Sequence, residues 1–451
     1  MNRETKNSSI PWIGAIPSGW TILRIKNTSW LKGRIGWDGL KSEEFQETGP
    51  YLITGTDFVD GQVNWDSCAH ITQERFAEDE LLHIFEGDLL ITKDGTIGKL
   101  AMVQNCPDNV SLNSGVMIIR NNSAWKYDQK FMYYMLGSDV FTQWFECEQK
   151  PGSTIKHLYQ NQFTEFQFPM PPLPEQHAIV RYLDTKCAAI DEAIDRHKRI
   201  IEKLEEYRTS FATMVLTQGT NRDVRLIDSG VQQIGEIPEH WTVVRIKHLL
   251  STDRVNLRVG PFGSALSTKE YTDEGPWVYT QRTVLDDNFK ENPIHISEEK
   301  YTSLEGFSVI DGDLLVTTRG TIGKLAIVPD DAPKGILHPC LIKFRVDKNK
   351  IHHEILKHLF NDTDLVMNQI RKQAEGATIE ALYSGPLKDV YVPLPPYTEQ
   401  VEILNFLDSQ SQNINNMIKN HQTIVAKLEE YRKSIIYYAV TGKIDCREMT
   451  T

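Results

Sequence analysis

The chain has little cysteine, little chemistry-bearing patterning and no long apolar run. Its six cysteines (Cys68, Cys106, Cys147, Cys187, Cys340 and Cys446) stand alone among 451 residues, without a CxxC or a metal-like cluster. Scattered single thiols fit a reducing compartment, and a structural zinc site is not expected. No stretch approaches the roughly 20 consecutive apolar residues that span a bilayer, and the opening "MNRETKNSSIPW" lacks the apolar core of a signal peptide. A cytoplasmic protein without a membrane partner is therefore expected. Positive charge is also short: 49 Lys and Arg face 61 Asp and Glu, a net charge of −12. Taken alone that speaks against nucleic acid, whose phosphates need local cations. A large acidic protein can still present one basic face.

Catalytic motifs are missing as well. No Ser/His/Asp or Cys/His arrangement and no HExxH is present. "GTIGK" (Gly95–Lys99, Gly320–Lys324) resembles a phosphate loop only superficially, because no glycine stands five residues before Gly98 and Leu100 follows Lys99. "LPPY" (Leu394–Tyr397) has leucine where an amino-methyltransferase needs Asp or Asn. Asp88 and Asp313 read as turn residues ahead of a strand rather than as nuclease carboxylates. The chain is expected to catalyse nothing.

What is present is a duplication. "GDLLITKDGTIGKLAMV" (87–103) returns as "GDLLVTTRGTIGKLAIV" (312–328), identical at 13 of 17 positions. "WIGAIPSGWTILRIK" (12–26) returns as "QIGEIPEHWTVVRIK" (233–247), "PGSTIKHL" (151–158) as "EGATIEAL" (375–382), "PPLPEQ" (171–176) as "PPYTEQ" (395–400), and "KLEEYRTS" (203–210) as "KLEEYRKS" (427–434). The offsets are 221 to 225 residues, far above the ~20–50 of a solenoid, so the chain is a domain pair repeated head to tail. Four segments follow: a mixed α/β domain over 1–172, a long helix over 173–219, a second domain over 220–394, and a second long helix with a tail over 395–451.

Each long helix is predicted from a proline pair at its first turn and about 40 residues without Gly or Pro. Apolar residues, with one polar histidine in each helix, recur at a- and d-type heptad positions: Val180, Leu183, Ile190, Ile194, His197, Ile201 and Leu204 in the first, and Leu404, Leu407, Ile414, Ile418, His421, Val425 and Leu428 in the second. Such a seam predicts a coiled coil. Antiparallel pairing of the two copies gives a pseudo-twofold and brings His197 and His421 together at the middle. Their ordinary reading is structural, with a metal or proton-switch role as the other.

In the domains, "DLLIT" and "IGKLAMV" read as two strands around a tight turn centred on Asp94-Gly95, with "DQKFMYYMLGSDVFTQWF" as helix. The turn is basic through Lys93 and Lys99, and through Arg319 and Lys324 in the second copy, so it is scaffold, or scaffold that also approaches phosphates. "GSTIKHL" and "GATIEAL" have the pattern of capped helix starts, which can also hold a phosphate; Lys156 lies at the first. Between these shared elements, residues 32–85 and 252–309 diverge almost completely. One frame carrying two unlike inserts implies two related sites that read different things.

In order and in duplicate, the "IPxxW", "GDLLITKDGTIGKLA", "GSTIKHL", "PPLPEQ" and "KLEEYR" motifs resemble the specificity subunits of type I restriction-modification systems, over essentially the whole chain. "GPFGSAL" (260–266) is similar to a segment frequent in their target domains. The resemblance implies an α+β fold: two similar target recognition domains separated by two long helices in an antiparallel coiled coil. It implies double-stranded DNA as ligand, each domain reading one half of a bipartite, asymmetric site. Two methyltransferase subunits and the restriction subunits are the implied partners, and they would hold S-adenosylmethionine, ATP and magnesium. Candidate base readers in the divergent inserts are Lys32, Arg34, Thr56 and Asp57, and Arg254, Arg258, Gln281 and Arg282. Arg suits guanine and Gln suits adenine, although each is an ordinary surface residue too. A coiled-coil scaffold that reads no DNA is the alternative.

Overall fold

A computed structural model describes residues 3–34, 40–122, 125–148, 156–253, 255–262, 265–291, 293–373 and 381–447. The chain divides into two compact units. One comprises residues 1–197 with 423–451, and the other residues 198–422. The divisions fall inside the long helices, Leu173–Gln218 and Tyr397–Val440, so each unit owns a domain, the start of its own helix and the end of the other copy's helix. At 1.5 Å per residue the helices are each roughly 65–70 Å long.

In the first unit the strands run Ser29–Gly33, Val116–Asn121, Leu89–Thr92, Leu100–Met102, Gln62–Val63 and Phe58–Val59 across one sheet. Strict alternation along its central strands separates two cores. Leu89, Ile91, Met117 and Ile119 face the helical layer of Gln129–Leu136 and Asp139–Glu148. Leu90, Val116 and Ile118 face a smaller sheet in which Gln46–Ile53 lies between Val110–Leu112 and Ala69–His70. The second unit repeats the plan. Leu314, Val316, Ile342 and Phe344 face helices His353–Asn361 and Leu365–Gln373, while Leu315 and Leu341 face the sheet built on Tyr271–Tyr279. The divergent stretches share one pairing and differ elsewhere: in each unit a strand pairs in parallel with a short return strand, Tyr51 with Val110 and Trp277 with Gly335, whereas Phe58–Val59 and Gln62–Val63 extend the main sheet to six strands in the first unit and that of the second has four.

The shared motifs meet in space. In the first unit the Trp20 indole N–H donates to Glu175 at 2.9 Å, and in the second Trp241 donates to Glu399 at 2.9 Å. The tryptophan of "IPxxW" thus grips the first turn of the long helix. The following strand, Thr21–Arg24 or Thr242–Arg245, pairs antiparallel with the strand ahead of the proline pair. Gln176 accepts the Asp128 backbone N–H and Gln400 that of His352, both at the start of a domain helix. Pro172 and Pro396 carbonyls close the first helical turns, as the proline pattern predicts.

Within each unit the two long helices pack in opposite directions. In the first, Arg432 makes a two-pronged ion pair with Asp191, and Ile190 and Ile194 share a core with Val425, Leu428 and Ile435. In the second, Arg208 donates to Asn415 at 2.9 Å, and the Phe211 and Phe406 rings lie 5.6 Å apart. Position 208 corresponds to 432, and 191 to 415, so the pairing itself is duplicated. Every seam position predicted from the spacing is at least half-buried; Val180, Leu183, Ile190, Ile194, Leu404, Leu407, Ile414 and Ile418 are fully so, and His197, Ile201, Leu204, His421, Val425 and Leu428 half-buried. Among the described residues no helix is long and apolar enough to cross a membrane.

Candidate nucleic-acid interface

The repeated "GDLL…GTIGK" sentence is a strand, a turn and a second strand. Leu89–Met102 pairs as Leu100 with Ile91, and the second copy as Leu325 with Val316. A threonine closes both turns. The Thr92 hydroxyl donates to the Thr96 carbonyl and accepts the Lys99 N–H; Thr317 does the same with Thr321 and Lys324. Gly98 and Gly323 sit at φ +83° and +82°, a left-handed conformation that glycine adopts without steric cost. The turn folds back on the helical layer, where a Cβ on Gly98 would lie 3.1 Å from Phe141 and one on Gly323 would strike Met367. Asp88 and Asp313 are the expected turn acceptors, taking the N–H of Phe85 and Ile310. Each is also buried in an ion pair, with Arg120 and with Arg345.

Around this turn the fold assembles loops that are far apart in sequence. In the first unit the Lys93 ammonium donates to the Arg34 carbonyl, and the Lys99 ammonium to that of Gly55. Asp94 pairs with His157, and the Leu158 N–H donates to the Lys93 carbonyl. Lys156 is exposed beside them. Burial pushes the Lys93 ammonium below its ordinary pKa, with Asp94 opposing. In the second unit the Gln281 amide lies against Gly320, the Leu382 N–H donates to Thr318, and the Lys324 ammonium reaches the Asn361 carbonyl. Arg319 is exposed at the turn tip. Burial also holds His338 below the usual imidazole range, and its Nδ1 accepts the Cys340 N–H at 3.2 Å.

The candidate readers divide by environment. Arg34 is only 2% exposed, and its guanidinium donates to the Leu112 carbonyl and to Ser111. Asp57 is 3% exposed and accepts from the Thr54 N–H and hydroxyl and from Ser67. Both hold the loop framework. Lys32 pairs with Asp79 at 2.8 Å. Thr56 is exposed, and its hydroxyl meets that of Thr54. Arg282 is exposed and pairs with Asp286 one turn along its helix. Arg258 lies over the Phe307 ring. Arg254 lies outside the described residues, as do residues 151–155 and 374–380 of the two expected helix starts. Lys156–Tyr159 that follow are not helical; a short helix begins at Gln160 instead.

Two residues of this cluster were not singled out by motif: Tyr159 and Tyr383. They occupy the same slot in both copies, 224 residues apart, each directly after a buried leucine, Leu158 or Leu382. A shared aromatic after "IKHL" and "IEAL" was the available signal.

A family model described as the type I restriction modification DNA specificity domain matches residues 30–206 and again 238–429. A putative type I restriction enzyme MjaX specificity subunit from Methanocaldococcus jannaschii is 23% identical over 437 residues, covering 96% of this chain and 95% of that protein. The EcoBI specificity subunit from Escherichia coli is 24% identical over 433 residues, 92% of this chain and 86% of its own. Among solved structures, a chain from work on the assembly and conformational transition of the type I restriction-modification system superposes with a TM-score of 0.70. It is 16% identical, and the match covers 95% of this chain and 99% of that one. The HsdS subunit from Thermoanaerobacter tengcongensis gives 0.51 at 17% identity, with 95% and 98% covered. With two matched domains spanning most of its length, on the duplicated frame just described, the chain belongs to the type I restriction-modification DNA specificity family.

Proposed function

We propose that this chain is the non-catalytic reader of a type I restriction-modification complex. Each domain reads one half of a bipartite, asymmetric DNA site and thereby directs adenine methylation, and restriction, by partner subunits. The observation that carries this reading is the loop cluster in each unit: a turn of one fold, basic through Lys93 and Lys99 in one copy and through Arg319 and Lys324 in the other, surrounded by stretches that share almost no sequence. Identical parts serve what the two half-sites have in common, and unlike parts serve what distinguishes them. Two methyltransferase subunits and the restriction subunits are the partners that fit; S-adenosylmethionine, ATP and magnesium belong to them, and the cytoplasm is the compartment where such a complex meets DNA. The long helices set the separation of the half-sites, on the scale of one to two turns of DNA.

The test is a genome-wide map of N6-methyladenine in cells with and without this chain, the methyltransferase partner being retained. Loss of a single bipartite, asymmetric motif is the expected result. An unchanged map in cells whose partner is active would remove the reader role and leave a scaffold.

A further inference from the structure

The duplication separates two kinds of contact that most DNA-binding domains mix. The inserts differ, so an exposed residue that is identical and identically placed in both copies is suited to something that both half-sites share. Tyr159 and Tyr383 meet that description. Each follows a leucine that is buried in the domain core, at 1% and 3% exposure, and whose backbone N–H is fixed to the shared turn, on Lys93 or on Thr318. Both tyrosines have extended backbone, φ −73° ψ 133° and φ −110° ψ 158°. Successive side chains on extended backbone point to opposite sides, so a buried leucine sends its neighbour outward. The rings are accordingly 54% and 67% exposed.

Their surroundings are cationic. In the first unit Lys156 is exposed three residues before Tyr159, and Lys99 projects from the shared turn. Asp94, at the turn, is engaged by His157, whose ring lies 4.4 Å from that of Tyr159. In the second unit Arg319 is exposed in the place of Asp94, Lys324 is half-buried in the place of Lys99, and a glutamate, Glu380, stands where the first copy has Lys156. A phenol hydroxyl beside exposed cations is a donor suited to a phosphate oxygen.

We propose that Tyr159 and Tyr383 each donate a hydrogen bond to a DNA backbone phosphate, one in each half-site, and position the domain without reading sequence. This rests on the DNA-reading role proposed above. The shared turn and the tyrosine then form one grip used twice, while the unlike inserts supply discrimination.

The test uses the complex of the full chain with its methyltransferase partner and a duplex carrying the motif it methylates. Tyr159→Phe and Tyr383→Phe should each weaken binding about tenfold, as expected for losing a hydrogen bond to a charged acceptor. Cognate and non-cognate duplexes should lose alike, with the methylated motif unchanged. A duplex with one neutral methylphosphonate, placed by scanning, should weaken the unsubstituted complex equally and the phenylalanine variant no further. Unaltered binding by both phenylalanine variants would overturn the proposal. So would a changed motif, which would make the tyrosine a base reader, or loss of the methyltransferase from the complex with DNA affinity otherwise kept, which would make it a protein contact. An unsubstituted complex that shows no preference for any sequence would instead sink the reading on which the proposal rests.

Discussion

At the scale of single residues, the bonds that matter most join positions no local pattern connects. Trp20 and Glu175 both belong to repeated motifs, so their importance was legible, but 155 residues separate them and only the fold reveals that one holds the other. Glu175 is 8% exposed and also pairs with Arg3, and the Trp20 ring is 1% exposed. Glu175→Ala leaves a buried indole N–H without its acceptor and should lower stability by about 2 kcal/mol, with Glu175→Gln costing less because it keeps an acceptor. Glu399, the second-copy equivalent, is a third exposed, so Glu399→Ala should cost less than Glu175→Ala. Denaturant unfolding of the full chain orders the three variants, and equal losses would refute the account. His338 sets a pH dependence. Burial lowers its folded pKa, so the unfolded chain binds the proton more readily, and stability is kept above the ordinary imidazole value of ~6.5 and lost as pH falls below it. Protonation would also remove the Nδ1 lone pair that accepts from Cys340. Between pH 7.5 and 5.5 the unsubstituted chain should therefore lose more stability than His338→Asn; equal losses would exclude the imidazole as the cause. Arg34 shows where sequence reading reaches its limit: a charged residue in a divergent insert reads as surface, yet hydrogen bonds to the Leu112 carbonyl and the Ser111 hydroxyl make its burial tolerable.

Elements were more legible, because their signals are local. Proline pairs, the absence of Gly and Pro and the three-four spacing predict both long helices and their seam, and period-two burial makes the strands of the repeated hairpin recognisable. The expected helix over "IKHL" was not formed where the chain is described, since Leu158 is drawn to the shared turn by a backbone bond that local sequence does not encode. The hairpin turn itself offers a test. Gly98→Ala must hold a Cβ at φ +83° against Phe141, a conformation costing roughly 1–2 kcal/mol for a side-chain-bearing residue. It should lower stability by about that amount. The second-copy variant Gly323→Ala should do at least as much, because its Cβ would strike Met367. In the seam, Leu407 is wholly buried, and Leu407→Ala should cost about 2–5 kcal/mol. Thermal unfolding of each variant checks both; a neutral Leu407→Ala would mean the seam is not a packed core.

At the scale of the molecule, a net charge of −12 is reconciled with DNA binding by where the charges go. Asp88, Asp191 and Asp313 are spent on arginines within the units, whereas Lys99, Lys156 and Arg319 are exposed around the two turns. Duplication also makes the division of labour separable. Each divergent stretch lies between the same pair of repeated motifs, so one can replace the other between matching flanks. A chain in which residues 252–309 are replaced by residues 32–85 then carries the same reader twice on an unaltered pair of helices. Under the proposed function its methylation motif should change from asymmetric to a repeat of the first half-site in opposite orientation, with the spacer length unchanged. Methylome sequencing of cells expressing the exchanged chain with the methyltransferase partner reads both features at once. Persistence of the original second half-site would place base readout outside the exchanged stretch. A changed spacer would mean that the inserts, and not the helices, set the distance between the two sites.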